Sequence, residues 1–136
     1  MIKIKLGEVY GASDALDRLA TMALPVKISY RVSKMIKRLK ETREFIEKER
    51  MKIVGLFNKE LDEKKQEIIA KKDQPAFFVK FNEILDQEVD VEIDIYDMSD
   101  YISSTEELKI SANDMDVLEK FFIFFKEKTE KTEELP

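Results

Sequence analysis

Asp90, Glu92 and Asp94 alternate with apolar residues in VDVEIDIYD, residues 89–97. On an extended chain, alternate side chains share a face, so the three carboxylates would stand in one row. Oxygen ligands so placed are what Mg2+ or Ca2+ takes. The polar outer face of an antiparallel sheet gives the same pattern without a metal, and 39% of the chain is charged, so such spacings also arise by chance. The chain has no histidine and no cysteine. Missing with them are the commonest general base and the commonest zinc ligands. Ser-His, Cys-His and His-metal chemistry are excluded, and so are disulfides. Gly7 and Gly11 lack the glycine fingerprint and the Lys-Ser/Thr pair of a phosphate loop. No catalytic residue, metal ligand or cofactor is expected.

Asp97 with Glu107-Leu108-Lys109 is loosely similar in layout to the Asp…Glu-x-Lys of metal-dependent nucleases, a spacing too common in so charged a chain to carry weight. Two other groups are better suited to binding. Lys27, Arg31, Lys34 and Arg38 are spaced 4, 3 and 4, which makes one helical stripe. Residues 27–52 hold ten basic and four acidic residues, whereas Asp86 to Glu119 holds twelve acidic residues and one base, Lys109. The stripe could be solvated or lie near the protein's own acidic strand. It could dock on an acidic face of another copy or of a partner protein, where such charges set orientation and on-rate. It could also meet nucleic acid, but a net charge of −5 and the lack of a recognition motif speak against that.

The second group is FFIFF, residues 121–125. If it ends a helix over about 112–126, Leu118, Phe121, Phe122 and Phe125 cover one face and Phe124 points away from it. Either both sides are buried in the monomer or one side meets another chain. Exposed aromatic patches mark interaction sites, which favours the second. The candidate protein-binding residues are therefore Phe121, Phe122, Phe124 and Phe125 together with Lys27, Arg31, Lys34 and Arg38.

The elements that must position these residues follow from periodicity. Ile2, Ile4 and Leu6 alternate with Lys3 and Lys5, a short half-buried strand ended by Gly7. Val9, Ala12, Leu16, Leu19, Ala20 and Ala23 predict a helix over 8–24. Pro25 breaks it and suits the first turn of the next. Ile28, Val32, Met35, Leu39, Thr42, Ile46, Glu49, Ile53 and Leu56 form a heptad-like seam weakened at Thr42 and Glu49. That helix reaches about residue 57, or 71 if KELDEKKQEIIAKK continues it, with Gly55 as its weak point. Asp73-Gln74-Pro75 restarts a helix, whose stripe of Phe77, Phe78, Phe81, Ile84 and Leu85 can fold back on the long one. Val89, Val91, Ile93 and Ile95 mark the clearest strand, and residues 108–110 suit a third. The expected partners are Ile2, Ile4 and Leu6 with Val91, Ile93 and Ile95. Ser111 with Asp114 is a capping pattern for the last helix.

The expectation is an α+β fold: a long helical hairpin with additional helices and a small two- or three-stranded sheet. One domain spans 1–126, and 127–136 is a charged C-terminal tail. No run approaches the roughly 20 apolar residues of a membrane span, and MIKIKLGEVYG carries charges inside its apolar run, unlike a signal peptide. The protein reads as intracellular, or made inside a cell, with no membrane partner.

Four stretches carry a family resemblance: IKIKLGEVYGASDALDRL, LPVKISYRVSKMIKRL with the long helix after it, FNEILDQEVDVEID, and LKISANDMDVLEKFF. In these, and in their order, the chain resembles a family of small proteins encoded by tailed bacteriophages and prophages of low-GC bacteria. The family has no assigned activity, so it brings no site residues. The resemblance implies a phage setting, in the virion or the host cytoplasm. The function expected from both lines is a non-enzymatic phage protein acting by protein–protein contact, as a minor virion or assembly component. Its partners would be other phage structural proteins or itself. The alternative is an accessory factor that binds a host protein and whose acidic surface occupies a nucleic-acid-binding site.

Overall fold

The computed structural model describes residues 1–104 and 110–125. Strand β1 (Ile2–Lys5) runs directly into helix α1 (Leu6–Ala20). Long helix α2 (Val26–Val54) follows, then a hairpin of β2 (Lys59–Leu61) and β3 (Glu67–Ile69), a 3-10 turn at Lys71–Asp73, and α3 (Gln74–Leu85). Strand β4 (Glu88–Val91) and the two-residue β5 (Tyr96–Asp97) precede α4 (Ser99–Ser104), α5 (Ala112–Leu118) and β6 (Phe122–Ile123). The fold is α+β, mainly helical, with three two-stranded sheets among the described residues: β1 with β4, β2 with β3, and β5 with β6.

Helix α1 is the hub. Its apolar positions Leu6, Val9, Ala12, Ala15, Leu16 and Leu19 are all buried, and it packs against α2, α3, α5 and β1. It starts at Leu6, so Gly7 lies in its first turn rather than after a strand. There the backbones of α1 and α3 nearly touch: a Cβ on Gly7 would sit 3.1 Å from the Leu85 carbonyl oxygen. Helix α2 buries Ile28, Val32, Met35, Leu39, Ile46 and Ile53, with Thr42 and Glu49 half-buried between them. This is the seam expected from the sequence, weak positions included. Leu56 lies beyond the helix and is exposed.

The helix does not continue to 71. Asp62 makes the turn of a hairpin instead. Its carbonyl accepts the Lys65 N–H at 2.9 Å, and its carboxylate accepts the N–H groups of Lys64 and Gln66 at 2.8 and 2.9 Å. Lys65 takes a left-handed φ of 61° to close it. Helix α3 restarts with Pro75 in its first turn, as expected. It buries Phe77 and Phe81 but leaves Phe78 exposed.

In the first sheet, β1 and β4 are antiparallel, with Ile2 opposite Val91, Lys3 opposite Asp90, Ile4 opposite Val89 and Lys5 opposite Glu88. Apolar residues face apolar ones, and lysines face acids. Either strand slipped by one residue would lose both matches. The strand expected over 89–97 is cut short, however. The Ile93 N–H bonds the Val91 carbonyl at 2.9 Å, a three-residue turn centred on Glu92. Ile93 stays buried, but Ile95 is exposed, so the shared face expected for Leu6 and Ile95 is not a sheet face. Of the third strand expected at 108–110, Ile110 is outside any strand and the rest lies outside the described residues. The tail 127–136 and the 1–126 boundary also lie outside them.

The C-terminal region departs most from expectation. Helix α5 ends at Leu118, not near 126, and FFIFF is not helical. Phe122 and Ile123 pair in parallel with Tyr96 and Asp97, extended by bonds from the Tyr96 N–H to the Phe121 carbonyl (3.0 Å) and from the Met98 N–H to the Ile123 carbonyl (2.9 Å). A parallel pair needs a long crossover, and the chain through α4 and α5 supplies it. Phe121, Phe122 and Phe124 are buried at 0, 1 and 6% exposure, whereas Phe125 is 64% exposed. The reading of four rings around a helix is therefore corrected. From Phe122 onward burial alternates, as a strand requires. Three of the four rings are core, which leaves Phe125 alone on the surface.

Ion pairs tie the elements outside the core. Arg43 forks to Asp17 between α2 and α1 at 3.2 and 2.9 Å. Arg18 forks to Asp114 between α1 and α5 at 2.8 and 2.6 Å. Ser111 caps α5 by accepting the Asp114 N–H at 3.1 Å, as its sequence position predicts. The Arg18 hydrogen bonds, and secondarily its charge, hold the Asp114 carboxyl below its ordinary range against a smaller desolvation effect.

Two outcomes follow from this packing. Phe124→Ala should destabilise the isolated protein by roughly 3–5 kcal/mol, while Phe125→Ala stays within about 0.5 kcal/mol, as read by urea melts. The second concerns pH. A carboxyl whose pKa is lower in the folded chain contributes stability above its unfolded value, and that contribution disappears as pH falls through the folded value. The melting-temperature gap between the wild type and Asp114→Asn should therefore be open at neutral pH and close in acid. A gap constant with pH would assign no such role to Asp114.

Candidate functional site

The basic stripe lies on the flank of α2 because the seam fixes the helix's rotation. Ile28, Val32, Met35 and Leu39 point into the core, and Lys27, Arg31, Lys34 and Arg38 fall about a quarter turn round from them. All four are exposed. Beside them runs the acidic segment that leaves β4. Between the two is an open trench made of two adjoining hollows. The one of about 370 Å3 is lined by Arg31, Lys34, Met35 and Arg38 of α2 and by residues 92–96, with Met1 at its end. The one of about 740 Å3 is lined on α2 by Tyr30, Ser33, Lys34, Lys37, Arg38, Glu41 and Thr42, and opposite by Asp90, Val91 and Glu92. Lys34, Arg38 and Glu92 border both.

The two rows of charge barely touch. Arg38 reaches Glu92 at 3.4 Å, with both side chains well exposed. The Arg31 guanidinium lies 5.6 Å from the centre of the Tyr96 ring, within cation–π range. Lys27, Lys34 and Lys37 make no ion pair among the described residues. The acids at 90, 92 and 94 are exposed as well, but the turn at Glu92 breaks their row. Among the described residues no group of three acidic side chains is placed to hold a metal ion. Asp97 is in β5, and its suggested companions Glu107, Leu108 and Lys109 lie outside the described residues.

The structure thus brings Arg31, Lys34 and Arg38 together on one wall, with Lys27 on the same flank beyond it. It separates them from the phenylalanines, of which Phe122 meets the Tyr96 ring edge to face at 6.5 Å. Sequence reading missed Tyr30 and Lys37 as wall residues. They are seven positions apart and so share a face, and that spacing is the signal that could have found them. A third hollow, between α1 and α2, is lined by Tyr10, Asp14, Arg43 and Glu47 among others. Arg50 forks to Glu47 there at 3.0 and 2.6 Å and lowers its carboxyl's pKa, an internal pairing along one helix.

Comparison with protein-family models, with curated proteins and with solved structures found no match. No helix among the described residues is long and apolar enough to cross a membrane.

An exposed pair at 3.4 Å in high dielectric is worth about 0–1 kcal/mol. Glu92→Gln should therefore leave stability within about 0.5 kcal/mol of wild type in urea melts, with the trench unchanged. A larger loss would mean that the Arg38–Glu92 contact holds the segment after β4 in place.

Proposed function

We propose that the protein works by binding another protein along the α2 trench, as a non-enzymatic component of phage assembly or of the virion. The observation that carries the reading is the unfinished electrostatics of the trench. A basic row and an acidic row lie side by side, joined by a single long ion pair, and Lys27, Lys34 and Lys37 are left without one among the described residues. A partner surface that presents both signs neutralises both rows at once, and charges so arranged steer encounter and fix register. A second copy has that surface, because its own acidic segment complements the basic flank. Head-to-tail docking of such faces builds rings or filaments. The phage setting rests on the resemblance of the four sequence stretches. The binding role draws support from a chain without histidine or cysteine and from a trench whose rims carry exposed lysine, arginine, aspartate and glutamate side chains.

The test is association of the purified protein, alone and with the other structural proteins of particles that contain it. Sedimentation should show assembly that weakens as salt rises, because a Debye length of about 10 Å at 0.1 M screens exposed charges. Lys34→Glu with Lys37→Glu should weaken assembly at least tenfold while leaving the melting temperature near wild type. Assembly indifferent to both salt and charge reversal would leave the trench as ordinary solvated surface. Salt-sensitive binding to DNA in preference to protein would replace the reading with a nucleic-acid one.

A further inference from the structure

Among the described residues, strand β4 has one edge occupied and one open. The Leu6 N–H bonds the Gln87 carbonyl at 2.9 Å, which fixes the phase of the ladder. In an antiparallel pair, bonded and non-bonded positions alternate. Ile4 with Val89 and Ile2 with Val91 therefore exchange hydrogen bonds, and the backbone groups of Glu88 and Asp90 point away from β1. The sheet holds β1 and β4 alone, and no backbone hydrogen bond from those outward groups occurs among the described residues. The larger hollow is lined by Asp90, Val91 and Glu92 and by no residue of β1. Asp90 and Val91 stand on opposite faces of β4, so a hollow that both of them line lies at the strand's outer edge, opposite α2.

The opposite wall is also fitted to a main chain. Lys34, Lys37 and Arg38 offer donors; Glu41, Ser33 and Thr42 offer acceptors. Mixed signs make a poor site for a simple anion or cation. They suit a peptide, whose free edge presents carbonyls and N–H groups in turn. We propose that the trench receives an extended segment of a partner protein, which adds to β4 as a third strand. This rests on the trench being a protein-contact surface, and it specifies the form of the partner.

Charge complementarity gives the segment's pattern. On its inner edge β4 pairs with Ile-Lys-Ile-Lys: apolar side chains beside Val89 and Val91, lysines opposite Asp90 and Glu88. A strand on the outer edge meets the same two faces of the same strand. It therefore alternates apolar with basic residues. The β4 strand of a second copy would set acids against acids, which destabilises pairing. Strand addition of this kind draws affinity from main-chain bonds and specificity from alternate side chains.

The probe is a fluorescent, end-capped peptide of alternating isoleucine and lysine, read by anisotropy and by amide NMR of the whole protein. Two further peptides serve as comparisons: the same sequence N-methylated at alternate residues, and alternating isoleucine and glutamate. The expected result is binding of the first peptide, with the N-methylated form at least tenfold weaker and the glutamate form weaker too. Hydrogen exchange should slow at the amides of Glu88 and Asp90. Glu88→Lys with Asp90→Lys, made together with Lys5→Glu and Lys3→Glu so that opposite charges still face each other across the β1–β4 ladder, should invert the preference between lysine and glutamate peptides; all four positions are exposed, and the N-methylated peptide tests the same point without any variant. Equal binding of the N-methylated peptide, or no protection at Asp90, would overturn strand addition. Should Lys34 and Lys37 reversal still abolish protein assembly in that case, the contact surface stands and only the strand falls. Protection of Asp90 that grows with protein concentration, without peptide, would assign the edge to a second copy and overturn the proposal as well.

Discussion

The enclosure of α1 is the constraint on which the rest of the structure depends. Val9, Ala12 and Leu16 are wholly buried, and three helices and a strand pack around them. Two of the buried positions are alanine, Ala12 and Ala15, so neighbouring backbones can come close there. At Gly7 the approach is closer still, with the Leu85 carbonyl where a side chain would begin. A larger residue at any of these sites forces neighbours apart or off-rotamer, a cost of about 1–3 kcal/mol. The direct passage from Lys5 into Leu6 then ties β1 to the hub, and β1 sets β4 in register by apolar and charge matching on its two faces.

The C-terminal segment completes that enclosure rather than extending from it. Leu118 and Phe121 are fully buried, α5 lies on α1, and the Arg18–Asp114 fork joins the two. The chain then turns and delivers Phe122 and Phe124 alongside β5. A two-residue parallel pair is weak in isolation. Here it is held by the rings on its buried face, with Phe122 and Phe124 at 6.1 Å. Removing aromatic area from this end opens the hub itself, which is why the surface at Phe125 and the core at Phe124 behave as different materials one residue apart.

The sequence made the helices legible wherever burial follows one period. The α2 seam could be read residue by residue, and its defects at Thr42 and Glu49 are half-buried positions in the structure. The pairing of the first strand with Val89–Val91 was legible because both faces of each strand carry a signal. What could not be read was where a period stops. At Glu92 a single backbone hydrogen bond interrupts an alternation that continues in the letters to Tyr96. At Asp62 the turn uses an aspartate and a left-handed lysine in place of the glycine or asparagine that ordinarily announces a hairpin. FFIFF was misread because an apolar run of five fits a buried strand as well as a helix end. Its aromatic and β-branched composition favours the strand. The stripe of Lys27, Arg31, Lys34 and Arg38 was legible as a stripe. That it borders a trench was not, since the opposite wall depends on the turn at Glu92.

The same hierarchy explains why the trench stays open. The seam of α2 sets the rotation of its basic flank, and the ladder with β1 sets the position of the acidic segment. Both are anchored by buried apolar side chains, each worth roughly 1.5–3 kcal/mol. Closing the trench would gain surface ion pairs worth about 0–1 kcal/mol each, and it would have to rotate α2 out of its seam or pull β4 from β1 to do so. The core wins, and the charges are left at a distance where one long arginine spans the gap and shorter reaches fail. A partner that enters the gap meets no such conflict. A strand seated there would pair with the β4 edge that is open among the described residues, and it would disturb neither the seam nor the ladder.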